Sequence, residues 1–265
     1  MNIVITGSTR GIGLGLAREF LRRGHKVLVS SRGQAAVDTA MADLRNEFSQ
    51  EHFAGQPCDV SHYEDVAALW DKAIASFGSV DIWVNNAGRN SVQVLFHELP
   101  PKDYVATVQT NLIGLMHCNH VAIGRMRAQG YGRVFNMEGF GSNGSAQPKY
   151  GPYGATKCAL NYFTKVLVKE NKDSPVDIFY LSPGMVITEM LASEEIQQSP
   201  DWQKRRRIYN ILADRVDTVT PWLAEGILAA KDNGDAVRWL TTPKAIWRFL
   251  SARFRKRDIM TPLGM

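Results

Sequence analysis

The chain reads as an α/β protein in which a parallel sheet is covered by helices on both faces. Two observations predict this. Short apolar runs alternate with amphipathic stretches from the first residue onward, and each stretch is long enough to carry the chain back to a parallel neighbour. No internal repeat, low-complexity tract or long linker interrupts the 265 residues, so a single domain spanning 1–265 is expected.

The elements follow in order. NIVIT (2–6) is a short buried strand, followed by a glycine-rich turn and a helix, LGLAREFLRRG, that stops on Gly24. VLVSS (27–31) is the second strand, with a helix over about 34–50 behind it. A short third strand lies near HFAGQPCDV, and a helix covers about 62–77. DIWVNNAG (81–88) is strand then turn, and two helices are expected between about 102 and 130. GRVFNM (132–137), the helix YGATKCALNYFTKVLVKE and the strand and turn VDIFYLSPG (176–184) complete the alternation. After Gly184 the pattern breaks. Residues 185–215 suit a mobile helical lid, 216–231 one more helix, and about 236–265 an extension with Trp239, Trp247 and many basic residues.

Composition narrows the class. Hydrophobic residues at 45% and charged residues at 22% are ordinary for a globular protein. No apolar run approaches the ~18–20 residues of a membrane span. MNIVITG begins directly as a buried strand, so no secretory leader is expected. Cys58, Cys118 and Cys158 lie far apart with no CxxC pair, which suggests neither zinc nor disulfides but reduced thiols in a cytoplasm-like compartment. The net charge of +5 permits an anionic ligand without naming it. Its basic clusters, QKRRR (203–207) and WRFLSARFRKR (247–257), come without a nucleic-acid-binding motif, so nucleic acid is not expected. The second cluster sits on an amphipathic helix. Packing on its own domain is the preferred reading, and contact with a subunit or an anionic membrane the lesser one. His117 and His120 have no convergent third ligand, so no metal site is expected.

TGSTRGIGLGLA (6–17) sets Gly7, Gly11 and Gly13 between the first strand and first helix, where the chain can approach a pyrophosphate held by free helix N–H groups. Ser8, Thr9, Arg10 and Ile12 complete this cradle. At the end of the second strand, where an acid commonly binds the ribose of NAD, the chain has Ser30, Ser31 and Arg32. Two guanidiniums, Arg10 and Arg32, with these hydroxyls suit a 2′-phosphate, so NADPH is favoured over NADH. Asp59 and Val60 follow the third strand, with Asp59 placed to accept from an adenine amino group. Asn86, Ala87 and Gly88 follow the fourth, where ligands of open sheets collect.

Tyr153 and Lys157 lie one helical turn apart and so share a face. A hydride arriving at a carbonyl leaves an alkoxide that needs a positioned acid. A phenol titrates near ~10, and a neighbouring ammonium is expected to lower that value. Tyr150, three residues earlier, is read as a wall of the substrate pocket.

TGSTRGIG, CDV, NNAG, Asn111, YGATK and SPGMVIT together resemble the short-chain dehydrogenase/reductases over about residues 1–190. The resemblance implies a doubly wound (Rossmann-type) sheet of about seven strands and NAD(P)-dependent hydride transfer, with Tyr153 as proton donor and Lys157 as its partner. It also carries Asn111 into a proton relay, and Pro183, Gly184, Val186 and Thr188 into cofactor binding. A homodimer or homotetramer through the helices bearing Asn111 and Tyr153 is implied as well.

One member of the pattern is missing. The family usually reads NxSS after the fifth strand, whereas NMEGFGSNG (136–144) puts Glu138 and Gly139 at the serine pair. Two readings stay open: Ser142 supplies the lost hydroxyl, which is preferred, or a protonated Glu138 meets the substrate carbonyl. This loop, with DIWVNNAG, TNLIGLMHC and LSPGMVIT, resembles the chlorophyll b reductase branch. That implies reduction of a ring formyl group on chlorophyll(ide) b or a related tetrapyrrole, in a prokaryotic cytoplasm or, for a mature plant-type protein, the plastid stroma. A broad apolar pocket would then be framed by Phe140, Tyr150, Met185, Met190 and Tyr209, with Leu191 and Trp202 nearby. The alternatives are a reductase of acyl, steroid or sugar carbonyls, or a dinucleotide-binding protein without catalysis.

Overall fold

The computed structural model describes residues 1–191, 197–198, 201–254 and 257–261. Among them, seven strands form one sheet: β1 (Asn2–Ile5), β2 (Lys26–Ser31), β3 (Phe53–Pro57), β4 (Ile82–Asn85), β5 (Gly132–Met137), β6 (Val176–Ser182) and, after two short strands of a separate ladder, β9 (Ala236–Arg238). All pairs are parallel and the order is β3-β2-β1-β4-β5-β6-β9. The order reverses between β1 and β4, and ligand clefts of open α/β sheets form at the carboxyl ends of strands at such a point.

Strand periodicity divides the core into two layers. Ile3, Ile5, Val27, Val29, Ile82, Val84, Phe135 and Phe179 face one side, against helices α1 (Gly11–Arg22), α2 (Gln34–Arg45) and α8 (Val216–Ala229). Val4, Leu28, Trp83, Val134 and Ile178 face the other, against α3 (Tyr63–Phe77), α5 (Gly114–Gln129) and α6 (Gly151–Glu170). A buried amide network ties the second layer together. Asn136 Oδ1 accepts from Asn85 (2.8 Å) and Asn119 (3.0 Å), Asn136 Nδ2 donates to Thr164 (3.1 Å), and Trp83 donates to Asn85 (2.7 Å). Every partner is neutral and nearly every bonding position is used, which fixes β4, β5, α5 and α6 relative to one another.

Three elements differ from the sequence expectation. The second helix ends at Arg45 rather than near 50, because Phe48 turns back onto the core and a 3₁₀ turn, Gln50–His52, leads into β3. The two helices between 102 and 130 are joined without a break: α4 (Pro101–Val108) runs through a π turn, Gln109–Ile113, into α5. The segment after Gly184 is pinned at both ends by a two-residue ladder of β7 (Val186–Ile187) with β8 (Asp214–Arg215).

Between these ends lies α7 (Trp202–Leu212), and beyond β9 comes α9 (Thr242–Ser251). The lid has a small core of its own: Ile187, Tyr209, Ala213 and Met260, with Met185, Leu191, Trp202 and Ile259 packed on it. Asp214 is its buried anchor. Arg248 (2.7 Å), Arg257 and the Trp239 indole (2.6 Å) all converge on that carboxylate. Helix α9 is inverted relative to a surface helix, since Arg248 turns inward while Ile246, Trp247, Phe249 and Leu250 are exposed. No helix among the described residues is long and apolar enough to cross a membrane.

Candidate active site

The cradle forms at the switch point. Gly7 takes a left-handed φ of 63°, and α1 starts at Gly11 behind an extended Arg10 that offers no side-chain cap, so its first N–H groups point outward. A Cβ on Gly13 would stand 2.5 Å from Gly7 O and 2.6 Å from Asn86 Nδ2. Only glycine permits that approach. Asn86 holds the turn from behind by donating to Thr6 O (2.9 Å) and Gly7 O (2.8 Å), while Thr6 Oγ1 accepts from the Asn86 and Ala87 amides. Thr188 lies over the start of α1, its Cγ2 within 3.4 Å of a Cβ built on Gly11. This uncapped helix start, with glycine at its first and third positions, fits a dinucleotide pyrophosphate.

Several residues assigned here from the sequence spend their side chains elsewhere. Ser8 is fully buried; its hydroxyl donates to Ile5 O and accepts from the Ser30 amide, stitching β1 to β2. Ser30 is also fully buried and so is no ligand for a 2′-phosphate, which corrects its inclusion beside Ser31 and Arg32. Ile12, Val60 and Val186 pack into the core and leave only main chain for a ligand. Arg10 is drawn to Glu189 on the lid. Arg32 is exposed at the end of β2. Asp59 accepts from the Ser61 amide and hydroxyl; burial raises its carboxyl, but those bonds and the Arg32 and His62 charges outweigh it and hold the carboxyl low.

Tyr153 and Lys157 project from the first two turns of α6 toward the end of β5. Lys157 Nζ lies 5.9 Å from the Tyr153 ring centroid and donates to Met137 O at 2.8 Å. The structure does not show the expected lowering of the phenol. Burial, aided by Tyr150, pushes Tyr153 up to about 12, and burial brings Lys157 down to about 8 against the pull of Glu138. Desolvation outweighs the one-turn spacing.

The loop after β5 explains the missing serine. A Cβ on Gly139 would come within 2.3 Å of Tyr153 Oη, so in this packing the phenol occupies the space that a serine side chain would fill. Ser142 curls back to this position, its hydroxyl accepting from the Gly139 amide at 3.0 Å. Glu138 is turned away from the role considered for it. Its oxygens accept from two Arg238 nitrogens, Nε (2.8 Å) and Nη2 (3.1 Å), and from Asn161 (2.8 Å), joining β5 to the edge strand β9. Committed to these partners, the group is not available to meet a substrate carbonyl.

Asn111 sits in the π turn, buried. Its side chain accepts from the Arg89 amide and donates to Arg89 O and Thr156, holding the loop after Gly88 against α6. Pro183 and Gly184 follow β6, where Gly184 has a left-handed φ of 70°. On the substrate side, Phe140 and Tyr150 meet edge to face at 5.5 Å, and Trp202 and Tyr209 at 6.1 Å. Met185 packs on the lid core, while Met190 is exposed. A cavity of about 190 Å³ opens between Phe140, Tyr150, Gly154 and Cys158. A larger groove, about 920 Å³, runs along α5 and α6 past His117, His120 and Phe163 and contains none of the site residues foreseen in the sequence.

A model of the family described as short chain dehydrogenase matches residues 1–199. The chain belongs to that family. Like the solved members, this short chain dehydrogenase carries the seven-stranded sheet. Gluconate 5-dehydrogenase of Burkholderia cenocepacia, in complex with NADP and tartrate, superposes with a TM-score of 0.73 at 27% identity over 89% of this chain and 92% of its own. ElxO with NADP bound gives 0.75 at 28%, over 89% and 96%. Nicotinamide dinucleotide binding follows from family and cleft together. Among curated relatives, the "Probable chlorophyll(ide) b reductase NYC1, chloroplastic" of Arabidopsis thaliana is 37% identical over 96% of this chain, and the chlorophyll(ide) b reductase NOL, chloroplastic, of Oryza sativa subsp. japonica is 38% identical over 94%. The chain spans about half of the first relative's length (53%) and 74% of the second's.

Arg205, Gln93 and Asp214 escaped the sequence reading although they shape the site. Arg205 NH1 donates to Gln93 and lies 3.4 Å from Tyr150 Oη. The signal available was one arginine inside QKRRR, which is indistinguishable by composition from its solvated neighbours.

Proposed function

We propose that this short chain dehydrogenase is an NADPH-dependent carbonyl reductase that converts the formyl group of chlorophyll(ide) b, or of a related tetrapyrrole, to hydroxymethyl. The observation that carries the reading is where the similarity runs. Identity to the chlorophyll(ide) b reductases covers 94–96% of the chain, whereas a 3alpha-hydroxysteroid dehydrogenase of the same family matches only 72% of it at 30% identity. A match over 94–96% of the chain takes in most of the lid and extension, which pack together through Tyr209 and Met260.

NADPH, which the cradle of Gly7, Gly11 and Gly13 would hold, would supply the hydride that the formyl carbon gains. The residues supply the rest. Tyr153 Oη gives its proton to the oxygen that gains the carbonyl electron pair, a transfer downhill even from a phenol near 12, because an alkoxide is the stronger base. Lys157, near 8, exchanges protons readily around neutral pH and restores the phenol. Ser142, whose hydroxyl accepts from the Gly139 amide next to Tyr153 Oη, donates to the same oxygen. The NADPH preference rests on Arg32 and on the lack of an acid at 30–32. A homo-oligomer built across the α5–α6 groove accords with its apolar lining.

The test mixes protein, NADPH and chlorophyllide b and follows the absorbance shift of the hydroxymethyl product. Tyr153→Phe should lower the rate about 10²–10⁴-fold with NADPH affinity retained. An unchanged rate removes the mechanism. Arg32→Asp should lose about tenfold or more in kcat/KM with NADPH and gain with NADH; an unaltered ratio removes the preference.

A further inference from the structure

Resting on the pocket just described, we infer that Arg205 and the polar atoms around it form a subsite for a carboxylate carried by the substrate. Arg205 projects inward from α7, clamped to Gln93 and near Tyr150 Oη. Among the described residues no carboxylate pairs with it, whereas Arg248 and Arg257 of the same region both hold Asp214.

Its surroundings are unsatisfied. Tyr209 is 4% exposed, and its hydroxyl turns toward Arg205 and Tyr150 without forming a well-aligned hydrogen bond to either. Gln93, whose oxygen takes Arg205, leaves its Nε2 buried and unpaired. On the same loop, Ser91 Oγ and Asn90 Oδ1 are also without partners, Ser91 being 5% exposed. Buried polar atoms are nearly always paired, so the unpaired Gln93 Nε2 beside an arginine with no carboxylate partner among the described residues, on a loop with two more unpaired polar atoms, marks the place of a ligand. The groups that meet at Arg205 are donors: the guanidinium itself, the Gln93 N–H₂ and the hydroxyls of Tyr150 and Tyr209. A carboxylate, which only accepts and does so at about four sites, is the group this set matches.

Tyr150 immediately precedes α6, three residues before Tyr153, so the subsite borders the proton donor. A substrate would present its carbonyl to Tyr153 and its acid to Arg205. For a chlorin this selects the free acid, chlorophyllide, over the esterified pigment.

The test separates this subsite from the reductase reading by using chlorins that carry no formyl group and cannot be reduced. One bears a free carboxyl side chain and the other is its methyl ester. Binding to the full chain with NADP is followed by fluorescence quenching. Wild type should prefer the acid by about tenfold or more, and Arg205→Met should bring that ratio to about one. Tyr209→Phe, which leaves the Gln93 clamp intact, should weaken acid binding several-fold more than ester binding. Equal affinities in wild type, or a preference that survives Arg205→Met, overturns the subsite. Selection of the acid by a protein that reduces no formyl chlorin keeps the subsite and sinks the reductase reading. Absence of any chlorin binding overturns both.

Discussion

Asn136 and Asp214 are both buried and both bonded on several sides, yet their partners are of opposite kinds. Asn136 lies in the platform between β4, β5, α5 and α6 and is satisfied by neutral amides and a threonine hydroxyl. Asp214, where the lid rejoins the body, is held by two guanidiniums and an indole from 25 to 43 residues further along the chain. A network of neutral groups avoids the desolvation of charge. A buried ion pair carries that cost and becomes strongly destabilising when one side is removed. The platform that positions Tyr153 is therefore built to be indifferent to its surroundings, whereas the lid is held by a charge balance that a single substitution upsets.

Three experiments probe that contrast. Asp214→Ala leaves Arg248 and Arg257 facing each other without a counterion, and the expected loss is roughly 3–5 kcal/mol, concentrated on the lid. Hydrogen exchange should show α7 and α9 losing protection while β5 keeps its own. Equal loss in β5 would mean that lid and platform open as one unit.

Lys157 is the charge that the platform does bury, and it contributes with the opposite sign. Its value in the folded protein lies near 8, below the usual 10.5, so the unfolded chain holds the proton more tightly. Burying the ammonium thus opposes folding in full below pH 8, and stability rises as pH climbs from 8 to 10.5. Lys157→Met should stabilise the protein by up to about 3 kcal/mol at pH 7 while abolishing turnover. That gain should shrink toward zero above pH 10.5 in urea unfolding. A gain independent of pH would assign it to packing instead.

Asn136→Ala is the smallest of the three. It strands the Asn85 and Asn119 amides and should cost about 1–3 kcal/mol, with no dependence on pH between 5 and 9. A pH-dependent cost would show that the platform draws on charge after all.

The platform was also the part most legible in sequence. β1, β2, β4, β5 and β6 are apolar runs with clear boundaries, whereas β3 (FAGQP) buries only Phe53; the glycines of the cradle mark a backbone approach that only they permit, and a four-residue spacing set Tyr153 above Lys157. What stayed hidden depends on partners far along the chain. β9 is three residues long with only Val237 buried, too short to carry a period. Glu138, next to the missing serine, looked like chemistry until its partner appeared 100 residues away at Arg238. Asp214 has no local signature, and α9 turns its arginine inward and its apolar residues out, the reverse of what amphipathic patterning leads one to expect. The direction of the Tyr153 shift was misjudged for a related reason: a sequence displays the neighbouring charge but not the burial that outweighs it.

The anchoring of Asp214 by Arg248 and Arg257 has a consequence for biosynthesis. A chain made from its amino end can complete the cradle, and the helix that bears Tyr153, before the residues that seat the lid have been translated. During that interval the nascent protein is competent to hold a dinucleotide but lacks a finished roof over any second molecule. Maturation would therefore proceed from cofactor pocket to substrate pocket, in the same order as the messenger is read.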